Sequence, residues 1–215
     1  MSNYRWTICS LVFFATTINY LDRQVISLLK PMLEKEFNWS ESDYSNIVAA
    51  FQLAYALGML GVGSIIDKIG SKLGYAVSLI LWSIASIMHA FATSTFGFGV
   101  VRAFLGLTEA GNFPAAIKTV AEWFPKKERA FATGIFNSGT NIGAVIAPLI
   151  VPWIALTYSW QMAFILTGAV GFLWLIFWFL LYTSPAKNKR VNAAELQHIN
   201  SDEDSEVIEG AEAQA

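Results

Sequence analysis

The sequence predicts an all-α integral membrane protein: a bundle of six transmembrane helices followed by a polar tail. Three observations carry this prediction. Of 215 residues, 55% are hydrophobic and only 14% charged, which is too apolar and too weakly charged for an ordinary soluble domain. Six segments reach the roughly 20 apolar residues that a membrane helix needs. Basic residues collect in alternate connections, as the positive-inside rule requires. The chain shows no β pattern of consequence, and its composition implies a lipid bilayer as partner and no nucleic acid.

The predicted spans are 6–29, 44–66, 73–93, 95–117, 130–154 and 160–183, so that residues 1–186 form one bundle. The first run is too long for the h-region of a signal peptide and lacks a small-residue cleavage site, so it is expected to stay as the first span. Pro31 to Ser40 reads as an amphipathic outer segment, with Phe37 and Trp39 at the membrane interface. Ser40-Glu41-Ser42-Asp43 supplies N-cap chemistry for span 2. Pro114 and Pro148 are expected to kink their helices. Gly139, Gly143 and Ala147 form a small-xxx-small ridge suited to close helix packing. Trp82, Trp174 and Trp178 read as lipid-facing or packing residues, His89 as interfacial, and Cys9 as a plain apolar-helix residue.

Charge placement orients the bundle. All 14 Lys and Arg precede residue 191, together with nine of the 16 acids. Arg5 precedes span 1; Lys68 and Lys72 lie between spans 2 and 3; Lys118, Lys126, Lys127 and Arg129 lie between spans 4 and 5; Lys187, Lys189 and Arg190 follow span 6. The alternate loops carry acids in excess or no Lys or Arg. Both termini are therefore expected on the cytoplasmic side, and an even number of spans agrees. Residues 187–215 read as a flexible acidic linker or tail. Within it, 192–199 could form a short surface helix, with His198 solvated.

Four charges interrupt the apolar spans: Asp22 and Arg23 in span 1, Arg102 and Glu109 in span 4. A charge in hydrocarbon is costly, so such residues face a protein interior or an aqueous cavity. Counting helical rise places Asp22 roughly 24 Å above the start of span 1 and Arg102 roughly 10 Å below the outer end of span 4. At similar depths, Asp22 and Arg102 are a plausible ion pair. Adjacent residues point about 100° apart, which leaves Arg23 for a cavity. Two readings stay open: buried ion pairs that fix helix packing, or a polar route across the bilayer. In the second, the planar arginine forks of Arg23 and Arg102 suit an organic anion, and the carboxyls of Asp22 and Glu109 suit proton uptake and release. No nucleophile–base pair and no set of metal ligands is present, so an enzyme is not expected.

Between spans 2 and 3, Gly63-Ser64-Ile65-Ile66-Asp67-Lys68-Ile69-Gly70-Ser71-Lys72 has the spacing Gly-x-x-x-Asp-Arg/Lys-x-Gly-x-Lys/Arg. That spacing resembles the signature loop of the major facilitator superfamily. Asn19-Tyr20-Leu21-Asp22-Arg23, the run from Arg102 to Ala110 with Phe113-Pro114, Glu122-Trp123-Phe124-Pro125 with Glu128-Arg129-Ala130, and Ser159 to Phe164 narrow the likeness. Together they resemble the anion:cation symporter group, and within it bacterial hexuronate and other sugar-acid transporters, over residues 1 to about 200.

The resemblance implies a six-helix bundle equal to the N-terminal half of a superfamily transporter, in a bacterial inner membrane. It implies that Arg23 and Tyr55 contact the substrate carboxylate or hydroxyls and that Asp22 and Glu109 couple transport to protons, with no cofactor. Arg102 would be their gating or pairing partner, and Asp67, Lys68 and Lys72 the charges of the signature loop. Asn137, Ser138, Thr140 and Asn141 would line the sugar-hydroxyl side, although a polar patch of this kind also serves as helix–helix glue. Gln52 and Tyr55 share a face of span 2, which ordinary interhelical hydrogen bonding also explains.

Such carriers have two six-helix halves with the site between them. The 215 residues correspond to one half, expected to be a fragment, with a split-carrier subunit or a dimerising half as alternatives. The expected function is proton-coupled symport of a small organic anion such as a hexuronate or aldonate. Its rivals are a sodium-coupled or uncoupled facilitator or exchanger, and a non-transporting assembly partner.

Overall fold

The computed structural model describes residues 2–202. Among them, all regular structure is helical: α1 (Tyr4–Phe37), α2 (Glu41–Ile69), α3 (Ser71–Met88), α4 (Thr95–Glu109), α5 (Asn112–Trp123), α6 (Lys126–Thr157), α7 (Trp160–Leu181) and α8 (Ala193–Ile199). Four stretches are long and apolar enough to cross a membrane: α2, residues 71–91 with α3, α6 and α7. The four charges that interrupt the apolar spans sit in α1 and α4. Asn19, Asp22 and Arg23 dilute the apolar content of α1, and a break separates α4 from α5.

That break falls within the span expected over 95–117. Ala110 and Gly111 stay in the right-handed region, at φ −57°, ψ −21° and φ −73°, ψ −19°, so the chain turns only slightly before helix resumes. Pro114 is the third residue of α5. Its missing N–H falls among the first-turn donors that lack intrahelical partners. It therefore belongs to a helix start rather than to a kink inside one helix. Pro148 does lie inside α6, as does Pro152.

Segment 30–37 is also more regular than the sequence suggested. α1 runs through Pro31 to Phe37 and ends at Asn38, which takes a left-handed conformation (φ 51°). Trp39 is buried within the protein. Its ring meets Phe98 edge-on at 4.9 Å, and Phe37 bridges Phe98 and Trp160. Ser40 then caps α2, its hydroxyl accepting from the Asp43 N–H while the Asp43 carboxylate accepts from the Ser40 N–H.

α1 lies at the centre, packed on α6 and α7; α2 packs on α4, and α3 on α4 and α7. The α1–α6 contact depends on the small-residue ridge: a Cβ at Gly143 would stand 2.5 Å from the Thr17 carbonyl oxygen. Trp82, Trp174 and Trp178 are all buried and pack the interior. So does His89, whose ring stacks on Phe164 at 4.8 Å and whose Nδ1 bonds the Ala85 carbonyl.

The start of the acidic tail is docked. Asn192 caps α8, and Glu195, which is fully buried, receives the Ser2 hydroxyl, the Tyr4 and Arg5 backbone N–H groups and the Arg5 guanidinium. His198 pairs with Glu128 at 2.8 Å while its side chain remains 35% exposed. The first turns of α1 and α6, the end of α7 and α8 therefore meet at one end of the bundle. The remainder of the predicted acidic tail, 203–215, lies outside the described residues.

Candidate functional site

Three of the four intramembrane charges, Arg23, Arg102 and Glu109, meet where α1, α2 and α4 come together. Gly106 makes this possible. It stands midway between Arg102 and Glu109, and a Cβ there would lie 2.4 Å from the Phe51 carbonyl oxygen. Without that Cβ, the backbones of α2 and α4 touch, and α4 delivers both charges to α1.

Arg23 Nε donates to Glu109 Oε2 at 2.6 Å; the Glu109 side chain is fully buried and that of Arg23 is 19% exposed. The Arg23 guanidinium is caged by three rings, Tyr55 at 4.4 Å, Tyr20 at 4.9 Å and Phe51 at 5.3 Å to the centroids. Such cation–π contacts hold a guanidinium without neutralising it. Arg102 donates from Nη2 to the Arg23 carbonyl at 2.8 Å and covers the other part of Phe51 at 4.7 Å. Asp22 instead turns toward α3 and α7, where the Ser86 hydroxyl donates to its Oδ1 at 3.1 Å and Thr167 lies beside it.

This pairing differs from the expected one. Asp22 does not pair with Arg102; Arg23 pairs with Glu109, and Arg102 makes no ion pair among the described residues. Depth along the helices misassigns partners because an arginine side chain spans the axial offset between them. Direction about the helix axis decides, and Asp22 faces α3. Arg23 Nε consequently faces a carboxylate of the protein itself, while the side chain stays 19% exposed.

The site is under-satisfied. Glu109 Oε1, Asp22 Oδ2, Arg102 Nε and Nη1, and both amide atoms of Asn19 are buried without hydrogen-bond partners among the described residues. Buried polar atoms are nearly always paired, so a cluster of this kind marks out the polar centre of the bundle.

The other expected site residues lie apart. On α6, Asn137, Ser138 and Asn141 are exposed and Thr140 is half-buried. No hydrogen bond or ion pair among the described residues joins them to Arg23 or Glu109. Asp67 pairs with Lys118 at 2.9 Å, and the same ammonium caps the Ile66 and Asp67 carbonyls at the end of α2. Lys68 is exposed and Lys72 half-buried. Sequence reasoning assigned no role to Tyr20, Phe51, Ser86, Thr167 or the polar set Thr16, Tyr75 and Asn112. The readable signal was small hydroxyl residues recurring on the apolar helix α3, Ser83 and Ser86 among them.

Residues 12–209 match the Major Facilitator Superfamily. The chain belongs to this family. Superfamily members are transporters rather than enzymes, and the apolar helices are those of an integral membrane protein. The chain is 40% identical over 210 residues to the hexuronate transporter of Escherichia coli K12, covering 98% of this chain and 47% of that one. It is 37% identical to the galacturonate transporter of Dickeya chrysanthemi, covering 94% and 59%. It is 33% identical to a D-galactonate transporter of Escherichia coli, covering 91% and 45%. The chain thus spans about half the length of the relatives it matches. A crystal structure of a bacterial homologue of the human lysosomal transporter Spinster, inward-facing and occupied, superposes with a TM-score of 0.76 at 22% identity. That likeness covers 86% of this chain and 46% of the other, and it shows the fold.

Proposed function

We propose that the chain is one six-crossing half of a superfamily carrier, with α4 and α5 together making the fourth crossing, and that the whole carrier is a proton-coupled symporter of a sugar acid. The second half supplies the opposite wall of the site. Both termini face the cytoplasm of a bacterium, and the bundle sits in the inner membrane.

The observation that carries this reading is the Arg23–Glu109 pair. It holds an arginine fork against a buried carboxylate that has one oxygen unpaired. Protonation of Glu109 would remove the anion from Arg23 and leave the guanidinium, still held by Tyr20, Phe51 and Tyr55, to take a substrate carboxylate bidentately. A proton and an organic anion then load together, because neither occupies the site well without the other. Arg102, fixed to the Arg23 carbonyl, steadies α1 against α4 while the pair exchanges. Relatives named for hexuronate, galacturonate and galactonate support a sugar acid as the anion.

The test is uptake of labelled glucuronate or galacturonate by vesicles containing the complete carrier, with and without an inward proton gradient. Glu109→Gln and Asp22→Asn should abolish gradient-driven accumulation. Normal accumulation in both variants would refute proton coupling through these residues.

A further inference from the structure

Asn19 is the least satisfied side chain of the interior. It is fully buried, and neither its amide nitrogen nor its amide oxygen has a hydrogen-bond partner among the described residues. Leaving a buried amide unpaired costs about 1–3 kcal/mol, so a purely structural residue here would be selected against.

Its neighbours indicate what it is for. On α1, Thr16 and Asp22 lie three residues to either side and share its face. The Thr16 hydroxyl accepts from Asn112 Nδ2 at 3.4 Å, and Asn112 Oδ1 accepts from the Tyr75 hydroxyl at 2.8 Å. Asn112 follows Glu109 by three residues across the α4–α5 break. Asn19 therefore occupies the stretch of α1 between Asp22 and the point that touches the Glu109 side of the site. Asp22 and Glu109 each keep one buried carboxyl oxygen unpaired among the described residues. Buried water is stable where about two to four polar partners surround it. The unpaired atoms of Asn19, Asp22 and Glu109 would supply that number.

We propose that Asn19 holds ordered water between Asp22 and Glu109, and that this water carries the coupling proton from one carboxyl to the other. The O–H bond of the Asp22 carboxylic acid breaks as its proton passes to the water oxygen, and a proton of that water passes to the Glu109 carboxylate. One proton moves, the water is regenerated and nothing is oxidised. Asn19 is a positioning residue, since its amide orients the water without exchanging the proton. The other titratable groups around the path are Arg23 on α1, Tyr75 on α3, His89 just past its end and Arg102 on α4. α7 contributes Thr167, and α6 meets α1 through Gly139 and Gly143. The relay explains why Asp22 is held by hydroxyls, away from both arginines, although Glu109 is the group that controls Arg23.

The inference rests on the symport reading, and its test separates the two. In the complete carrier, Asn19→Leu keeps volume and removes the polar atoms, whereas Asn19→Ser keeps a hydroxyl and makes room for a second water. Proton-driven net uptake should fall about tenfold or more in Asn19→Leu, while substrate counterflow, which needs no net proton movement, stays within about twofold. Asn19→Ser should keep most of the net uptake. Equal loss of net uptake and counterflow, or loss of neither, would overturn the relay while leaving symport standing. A wild-type carrier indifferent to the proton gradient would overturn symport and the relay with it. If Asn19→Leu does not fold, the wild-type carrier decides: a structure at water-resolving detail should show density within hydrogen-bond distance of the Asn19 amide and of a carboxylate, and a dry Asn19 would overturn the proposal.

Discussion

Two sets of buried charge occupy this bundle, and they are built on opposite principles. At the terminal end, Glu195 is buried under four hydrogen bonds, and Arg5 is shared between Glu195 and Glu128. In the membrane-spanning interior, Glu109 is equally buried but accepts one hydrogen bond and leaves an oxygen bare. A carboxylate saturated by fixed donors has one good arrangement and acts as a lock. A carboxylate with one partner and a bare oxygen gains by protonation or by exchange of its partner, so the second set is suited to switching.

The largest expected effect breaks the interior set. Arg23→Met strands Glu109 without its cation, and loss of one partner of a buried pair costs about 3–5 kcal/mol. Arg23→Met combined with Glu109→Met should recover most of that loss in detergent-micelle unfolding, while transport stays abolished in both. A single variant as stable as wild type would mean that the pair is not energetically buried, and the contrast would fail at its stronger end.

Next is the lock. Glu195→Ala removes the acceptor of the bonds from Ser2, Tyr4 and Arg5, and hydrogen bonds to a charged group are worth about 1.5–3 kcal/mol each. Amide exchange should quicken in 193–199 and in the first turn of α1, with substrate uptake little altered. Uptake falling as far as in Glu109→Gln would erase the distinction between lock and switch.

The lock also has a pH signature. Burial works to raise the Glu195 carboxyl, but the Ser2 hydroxyl, the Arg5 and Tyr4 N–H groups and the Arg5 guanidinium outweigh it and hold the group below the ordinary glutamate value of 4.5. Glu128 is depressed likewise, burial again opposing and Arg5 and His198 prevailing. A carboxyl lowered on folding adds stability above its unfolded value, and that stability is lost as pH falls through the folded value. Protease resistance of 185–202 should thus hold from neutral pH down to about 5 and fail below the ordinary carboxylate range. Release near neutral pH would contradict the assignment.

The two sets were not equally legible in the sequence. Helical class, the charged positions in spans 1 and 4, the Ser40 cap and the Gly143 ridge all follow from composition and local spacing, which short-range physics governs. The Arg23–Glu109 pairing did not follow, because partner choice depends on rotation about the helix axis and on the close approach of α4 to α2 at Gly106. Docking of α8 was hidden for another reason. A segment of seven residues with one buried acid and one buried isoleucine has no apolar periodicity to read, and its hold lies in donors almost 200 residues away in the chain.

The smallest expected effect concerns the signature loop, which belongs to neither set. Asp67 pairs with Lys118, but its side chain is 74% exposed, and an exposed ion pair is worth about 0–1 kcal/mol. Asp67→Asn should leave the unfolding stability of the bundle nearly unchanged. Lys118 would still cap the Ile66 and Asp67 carbonyls, which the substitution does not remove. Transport is the sharper readout. If uptake falls steeply in this variant while stability holds, Asp67 meets a partner in another state of the protein, outside the described residues. That outcome would add a third kind of charge to the comparison, one whose work is not done within this bundle.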